Sequence, residues 1–422
     1  MGLSRRALLG SALAGGAVLA AGSGCGTGSD SRTLTLWYWA GSISENVLDD
    51  ETKRLKSQGL TLSRSAIGGD YKAKFMTTLA GRADVPSIVG MNSDVATYFP
   101  DADSFVDLRT LGSDDYADKY LEWKWKQGIS PDGRMIGFPM DTGPTALYYR
   151  KDLLAKAGLP SEPDEVAASI TTWDDWMAAG RTLKSKLNCL PVDSAGFLYR
   201  MVLSSATTRY FTEKNKYIGD GDTVRNAWEL AVKSVKDKMS AATASMSTDW
   251  FALATNNRLP WFAGAVWMLN YLGPGVPTTK GKWRVTAAPG GAGNDGGSFL
   301  GITKYCQDPK AAFEAITWMQ NADNQVRAFG DVNLFPSTPA SFANPKLRKP
   351  NAFFGGQVTM DVFAPAAAKV PICYLSPYDG IVGSVYSNEL MKVESQGKNP
   401  DQAWKDVQRE VARELEHRGL SS

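Results

Sequence analysis

The stretch Gly133–Pro160, GRMIGFPMDTGPTALYYRKDLLAKAGLP, constrains this chain more than any other. It reads as a short extended segment, Met135 to Pro139, followed by a break at Asp141-Thr142-Gly143-Pro144. A second apolar strand runs from Thr145 to Tyr149, and a helix opens at Asp152 and closes at Gly158. Proline and glycine on both sides of Asp141 mark a change of direction with little secondary structure of its own.

Upstream of that stretch, strands and helices alternate. Leu34 to Trp39 reads as a strand, with Trp37 and Trp39 on the face opposite Tyr38. Ser44 caps a helix to about Ser57, which Gly59 ends. Leu60 to Ile67 is the next strand, Tyr71 to Ala80 the next helix, and Ser87 to Met91 a third strand. Such alternation predicts parallel pairing through right-handed crossovers. Downstream, Thr172, Asp222 or Thr223, Asp308-Pro309 and Asn399-Pro400 each open a helix. Their apolar stripes, for example Ala403, Val407, Val411 and Leu415, are core positions.

Residues 1–25 read as an export signal: Arg5-Arg6, an apolar run to Ala21, small residues, then Cys25. The adjacent arginines favour the twin-arginine route. The run falls short of the ~20 apolar residues a membrane span needs. Ser23-Gly24-Cys25 resembles a bacterial lipobox, whose cysteine is lipidated, although Gly22 stands where an aliphatic residue is usual. Ordinary cleavage that leaves Cys25 idle is the alternative. Residues 26–32 are small and polar, a tether. The formal net charge of +2 offers no basic face for nucleic acid. Outside the cell, Cys189, Cys306 and Cys373 would give one disulfide and one leftover thiol.

The order of strand, breaker, strand and helix around Asp141 resembles the first interlobe crossing of carbohydrate-type extracellular solute-binding proteins (family 1) of ABC importers. Further runs carry the likeness: Gly69-Asp70-Tyr71-Lys72-Ala73-Lys74, and Pro86-Ser87-Ile88-Val89 with Ser87 in place of the usual aspartate. Thr171-Thr172-Trp173-Asp174-Asp175, Trp261 to Gly275, Ala288 to Gly291, Gly296 to Ile302 and Leu334-Phe335-Pro336-Ser337 extend it. The resemblance spans Leu34 to Leu415. It implies an α/β, two-lobed periplasmic-binding-protein-like fold with discontinuous lobes joined by a hinge. Residues 33–140 and 298–338 would form one lobe, residues 141–297 and 339–422 the other.

Catalytic alternatives meet the residues their chemistry needs. His417 is the single histidine, which removes Ser-His and Cys-His triads and His-based zinc sites. The G-x-G-x-x-G at Gly291–Gly296 follows Pro289 and leads into Gly297-Ser298-Phe299, an extended run, where a dinucleotide fingerprint needs a helix. Asp220-Gly221-Asp222 is too short for a calcium loop. Paired carboxylates for glycoside hydrolysis have no fixed spacing, so a secreted carbohydrate-active enzyme stays open as a rival. So does the same fold with a peptide, polyamine or phosphodiester ligand.

A sugar presents hydroxyls and apolar faces, so its site needs aromatic platforms beside carboxylates and amides. In open α/β sheets ligands sit beyond the carboxyl ends of the strands. That filter, with the resemblance, selects Trp39, Asn92, Asp94, Asp141, Phe197, Asn270, Tyr271 and Tyr378 as ligand-binding candidates. Asn270 and Tyr271 are expected at the end of a strand. The resemblance implies no catalytic residue, no metal and no cofactor. It implies a sugar or oligosaccharide ligand, permease subunits as partners, a lipid anchor at Cys25 on the outer face of the cytoplasmic membrane, and a monomer.

Overall fold

A computed structural model describes residues 33–420; the signal, Cys25 and the tether lie outside them. The chain opens with β1 (Thr33–Tyr38), α1 (Glu45–Ser57), β2 (Thr61–Ala66), α2 (Tyr71–Gly81) and β3 (Ile88–Met91). Leu34, Leu36 and Tyr38 alternate inward along β1. The Ser44 side chain accepts from the Val47 N–H and starts α1 as its sequence predicts. Both β2 and β3 pair parallel to β1. Irregular 3₁₀ turns then lead to α3 (Glu122–Gln127) and β4 (Phe138–Pro139).

At Asp141–Thr142 the chain makes a two-residue strand, β5, and continues as β6 (Thr145–Arg150), α4 (Lys151–Lys156), α5 (Pro163–Ser169) and α6 (Trp173–Leu187). Next come α7 (Ala195–Leu203), α8 (Asp222–Lys236), α9 (Thr248–Thr255), β7 (Trp261–Ala265), α10 (Leu269–Gly275) and β8 (Trp283–Ala287). A return strand, β9 (Phe299–Ile302), is followed by α11 (Pro309–Met319), α12 (Ala322–Val332) and β10 (Phe335–Pro336). Three helices finish the chain: α13 (Met360–Lys369), α14 (Asp379–Gln396) and α15 (Pro400–Glu416).

Two separate sheets result. One has the order β2-β1-β3-β9-β4, with β9 antiparallel to β3 and β4; the other is β7-β6-β8, antiparallel throughout. Between them β5 pairs antiparallel with β10. The crossing at Asp141 is thus tied to a second crossing at Phe335. Third to cross is the segment before β9, which packs so closely that a Cβ on Gly143 would lie 2.2 Å from the Asp295 carbonyl oxygen.

Sequence and structure part in two places. Asn270 and Tyr271 lie on α10, not at the end of a strand. The ladder of β7 stops at Ala265 because its partner β6 begins at Thr145, and the Val266 N–H turns to the Pro144 carbonyl. Cys189, Cys306 and Cys373 are all free, the first two buried in different cores and the third half-buried before α14, so the expected disulfide is not formed. Leu121, Trp123, Val326 and Phe335, next to the crossings on the expected first-lobe side, reach over into the core around the second sheet.

Candidate functional site

A cavity of about 460 Å³ opens between the segment after β3 and the helices α7 and α14. Ser93, Asp94, Ala96 and Thr97 form one wall, at the carboxyl end of β3, where open α/β sheets place ligands. The opposite wall includes Arg200 on α7, Arg209 on the loop after it, Asp295 and Asp379. Another hollow of about 480 Å³ draws only on residues 116–120, 317–322 and 338–340, with nothing from α6–α10 or α13–α15. Of these two, the first is lined from both sheets' halves of the chain, and its volume suits a small ligand.

Polar groups converge on it. Asp94 is bonded to Lys72, which also donates to the Thr97 hydroxyl at 3.0 Å. Arg200 lies 3.2 Å from Asp295 and 4.8 Å over the Phe197 ring. Asp379 accepts from the Ser376 N–H at 3.1 Å, and burial pushes its carboxyl up to about 6, against the pull of the Arg209 charge. On α14 the cavity side carries Gly380, Gly383, Ser384 and Ser387. A Cβ on Gly380 would meet no atom within 4 Å. Small side chains there give the cavity its depth.

Of the eight sequence candidates, Asp94 alone lines this cavity. Trp39 follows β1, half-buried, its ring 5.2 Å from that of Tyr71 and close over Gly90. Asn92 is exposed and its Oδ1 accepts from the Ser93 N–H. Asp141 sits in the crossing and accepts from the Ser298 N–H at 2.8 Å. Phe197, on α7, lies beneath Arg200 against the core of the second sheet. Asn270 is spent on the end of α12: its Nδ2 donates to the Val332 carbonyl and its Oδ1 accepts from Asn333. Tyr271 is 53% exposed and stands edge-on to Trp267, whose indole donates to the Asp295 carbonyl. Tyr378 packs on Phe211, between the cavity-lining Pro377 and Asp379. Sequence reasoning missed Arg200, Arg209, Asp295 and Asp379. Asp379 and Asp295 carried a signal, the one in the turn-like run Ser376-Pro377-Tyr378-Asp379-Gly380 and the other in the glycine-rich run Gly291–Gly296.

Residues 53–355 match the family described as bacterial extracellular solute-binding protein, and the chain belongs to that family. A lactose-binding protein of Rhizobium radiobacter is 24% identical over 396 residues, covering 89% of each chain. The crystal structure of an extracellular solute-binding protein of family 1 superposes with a TM-score of 0.85 at 28% identity, over 90% of this chain and 99% of that one. An ABC-transporter-associated binding protein from B. animalis subsp. lactis, solved with β-1,6-galactobiose, superposes at 0.72 with 21% identity, over 92% and 99%. The fold is therefore the two-lobed periplasmic-binding-protein-like one. Among the described residues no helix is long and apolar enough to cross a membrane.

Proposed function

We propose that this protein captures a sugar or oligosaccharide outside the cell and hands it to the permease of an ABC importer, without altering it chemically. The observation that carries this reading is the 460 Å³ cavity, whose two walls come from opposite sides of the crossing and whose lining mixes carboxylates, guanidinium groups and hydroxyls with tyrosine and aliphatic side chains. A sugar hydroxyl both donates and accepts, so it is served by such a mixed set. The relatives named for lactose and galactobiose support the same ligand class. The lobes would be residues 33–140 with 298–338, and 141–297 with 339–422, working as a monomer anchored through Cys25 after twin-arginine export.

A thermal-shift screen of purified residues 33–422 against a carbohydrate panel tests the reading, because a ligand that binds only the folded state raises its melting temperature. A sugar that raises it and is recovered intact supports the proposal. No shift with any sugar, or hydrolysed product that one Asp or Glu substitution abolishes, overturns it.

A further inference from the structure

Two cationic side chains, Arg200 and Arg209, line the cavity and a third, Lys72, stands behind Asp94; one of the three differs from the others. Lys72 is bonded to Asp94 and Arg200 is paired with Asp295. Arg209 is half-buried, makes no hydrogen bond or ion pair among the described residues, and has its Nε cut off from solvent. Its charge acts on Asp379, yet no ion pair joins the two. Among the described residues Asp379 takes a single hydrogen bond, on Oδ2. The cavity thus holds a guanidinium that can only donate beside a carboxylate that can only accept.

The ligand class follows from that mismatch. An anion here would satisfy Arg209 and be repelled by Asp379, and a cation would do the reverse. Adjacent hydroxyls satisfy both, accepting from the planar fork of Arg209 while donating to Asp379. The remaining charges of the cavity wall each stand in an ion pair, Asp94 with Lys72 and Asp295 with Arg200. Resting on the sugar-binding reading, we propose that Arg209 and Asp379 together select a neutral sugar unit by its vicinal hydroxyls and disfavour an acidic sugar in the same place.

Titration calorimetry on the mature chain tests this with lactose, β-1,6-galactobiose, arabinotriose and digalacturonate. Wild type is expected to bind a neutral sugar at least tenfold more tightly than digalacturonate. Arg209→Met should weaken the neutral sugar on the order of ten- to a hundredfold, the scale of hydrogen bonds to a charged group. Arg209→Lys keeps the charge without the fork and should recover only part of that loss. Asp379→Asn should weaken the neutral sugar and narrow its advantage over digalacturonate. Unchanged melting temperatures establish that the variants fold; if Arg209→Met does not, Arg209→Lys and Asp379→Asn carry the test. Variants that bind as tightly as wild type, or digalacturonate as the tightest ligand, overturn this proposal while leaving sugar binding in place. Wild type that binds none of the four overturns both.

Discussion

The ammonium of Lys124 lies 3.3 Å from the centroid of the Phe299 ring, fully buried and with no hydrogen-bond partner among the described residues. Its helix, α3, straddles the crossing. Trp123 packs into the core of the second sheet and donates to the Ala367 carbonyl, while Trp125 packs into the core of the first. Lys124, between them, is near enough to Asp141 for the two charges to act on each other. Burial draws the lysine down to about 7, with Asp141 opposing, and raises the Asp141 carboxyl, with Lys124 opposing.

An unfolded lysine keeps its proton to about pH 10.4. Between pH 7 and 10 the unfolded chain therefore binds more protons than the folded one, and stability rises with pH. The melting temperature of wild type, measured against that of a Lys124→Met/Asp141→Asn double variant, should climb over that window. Lys124→Met alone should be less stable than the double variant by roughly 3–5 kcal/mol near neutral pH, since it leaves one buried charge without its partner. Parallel pH profiles for wild type and double variant would remove the electrostatic account.

Gly297 holds the same crossing from the backbone. It has φ +89°, and a Cβ there would lie 2.7 Å from the Asp141 carbonyl oxygen and 3.0 Å from Lys124 Nζ. Gly291, at φ +108°, has nothing within 4 Å. Gly297→Ala should cost about 1–3 kcal/mol and more than Gly291→Ala, as read by urea unfolding. Equal losses would mean that φ alone matters and the close contact does not.

These residues show where the sequence was readable. Helices with a cap and an unbroken apolar stripe were legible: Ser44, Thr172, Asp308 and Asn399 each accept from the backbone of the helix they open. The crossing at Asp141 was legible too, through its glycine and proline. The cavity was not. On α14 the buried face of Val382, Tyr386, Leu390 and Val393 sits back to back with the small residues that line the cavity, and its first turn is written in turn-forming residues. Arg209 lies in an irregular loop, and nothing local marks a guanidinium as free. Lys124 reads as an ordinary surface lysine of a short helix until the two cores close around it.

Gly380 offers a clean obstruction. It lies in the first turn of α14, lines the cavity and has open space where a Cβ would go. Gly380→Trp should abolish sugar binding by filling that space. The melting temperature without ligand should not fall, because glycine is the weaker helix former. Undiminished sugar binding by a folded Gly380→Trp protein would place the ligand elsewhere.

Export is tested at the other end of the chain. Replacing Arg5 and Arg6 with lysine should block secretion if the twin-arginine route is used. Cys25→Ser should release the protein from the membrane fraction. A Cys25→Ser protein that stays membrane-bound would exclude the lipid anchor.

Ligand binding should also draw the two lobes together. The connections between them are thin: β5 and β10 are two residues each, and the third crossing is the glycine-rich run before β9. Few-residue links of this kind absorb hinge rotations. Asp94 stands on one side of the cavity, and Arg200, Asp295 and Asp379 on the other. A sugar that touches both sides gains contacts only in the closed form, which gives closure its cause. Small-angle scattering should record a smaller radius of gyration with saturating sugar. Asp94→Ala should weaken binding while leaving the fold intact, because its pair with Lys72 is partly open to solvent, and surface pairs contribute only ~0–1 kcal/mol to stability. Tyr271→Ala, at an exposed ring beside Trp267, should cost about 1–3 kcal/mol of binding if that aromatic pair receives the sugar as it closes. An unchanged radius of gyration, with full affinity in both variants, would sink the hinge and this assignment together.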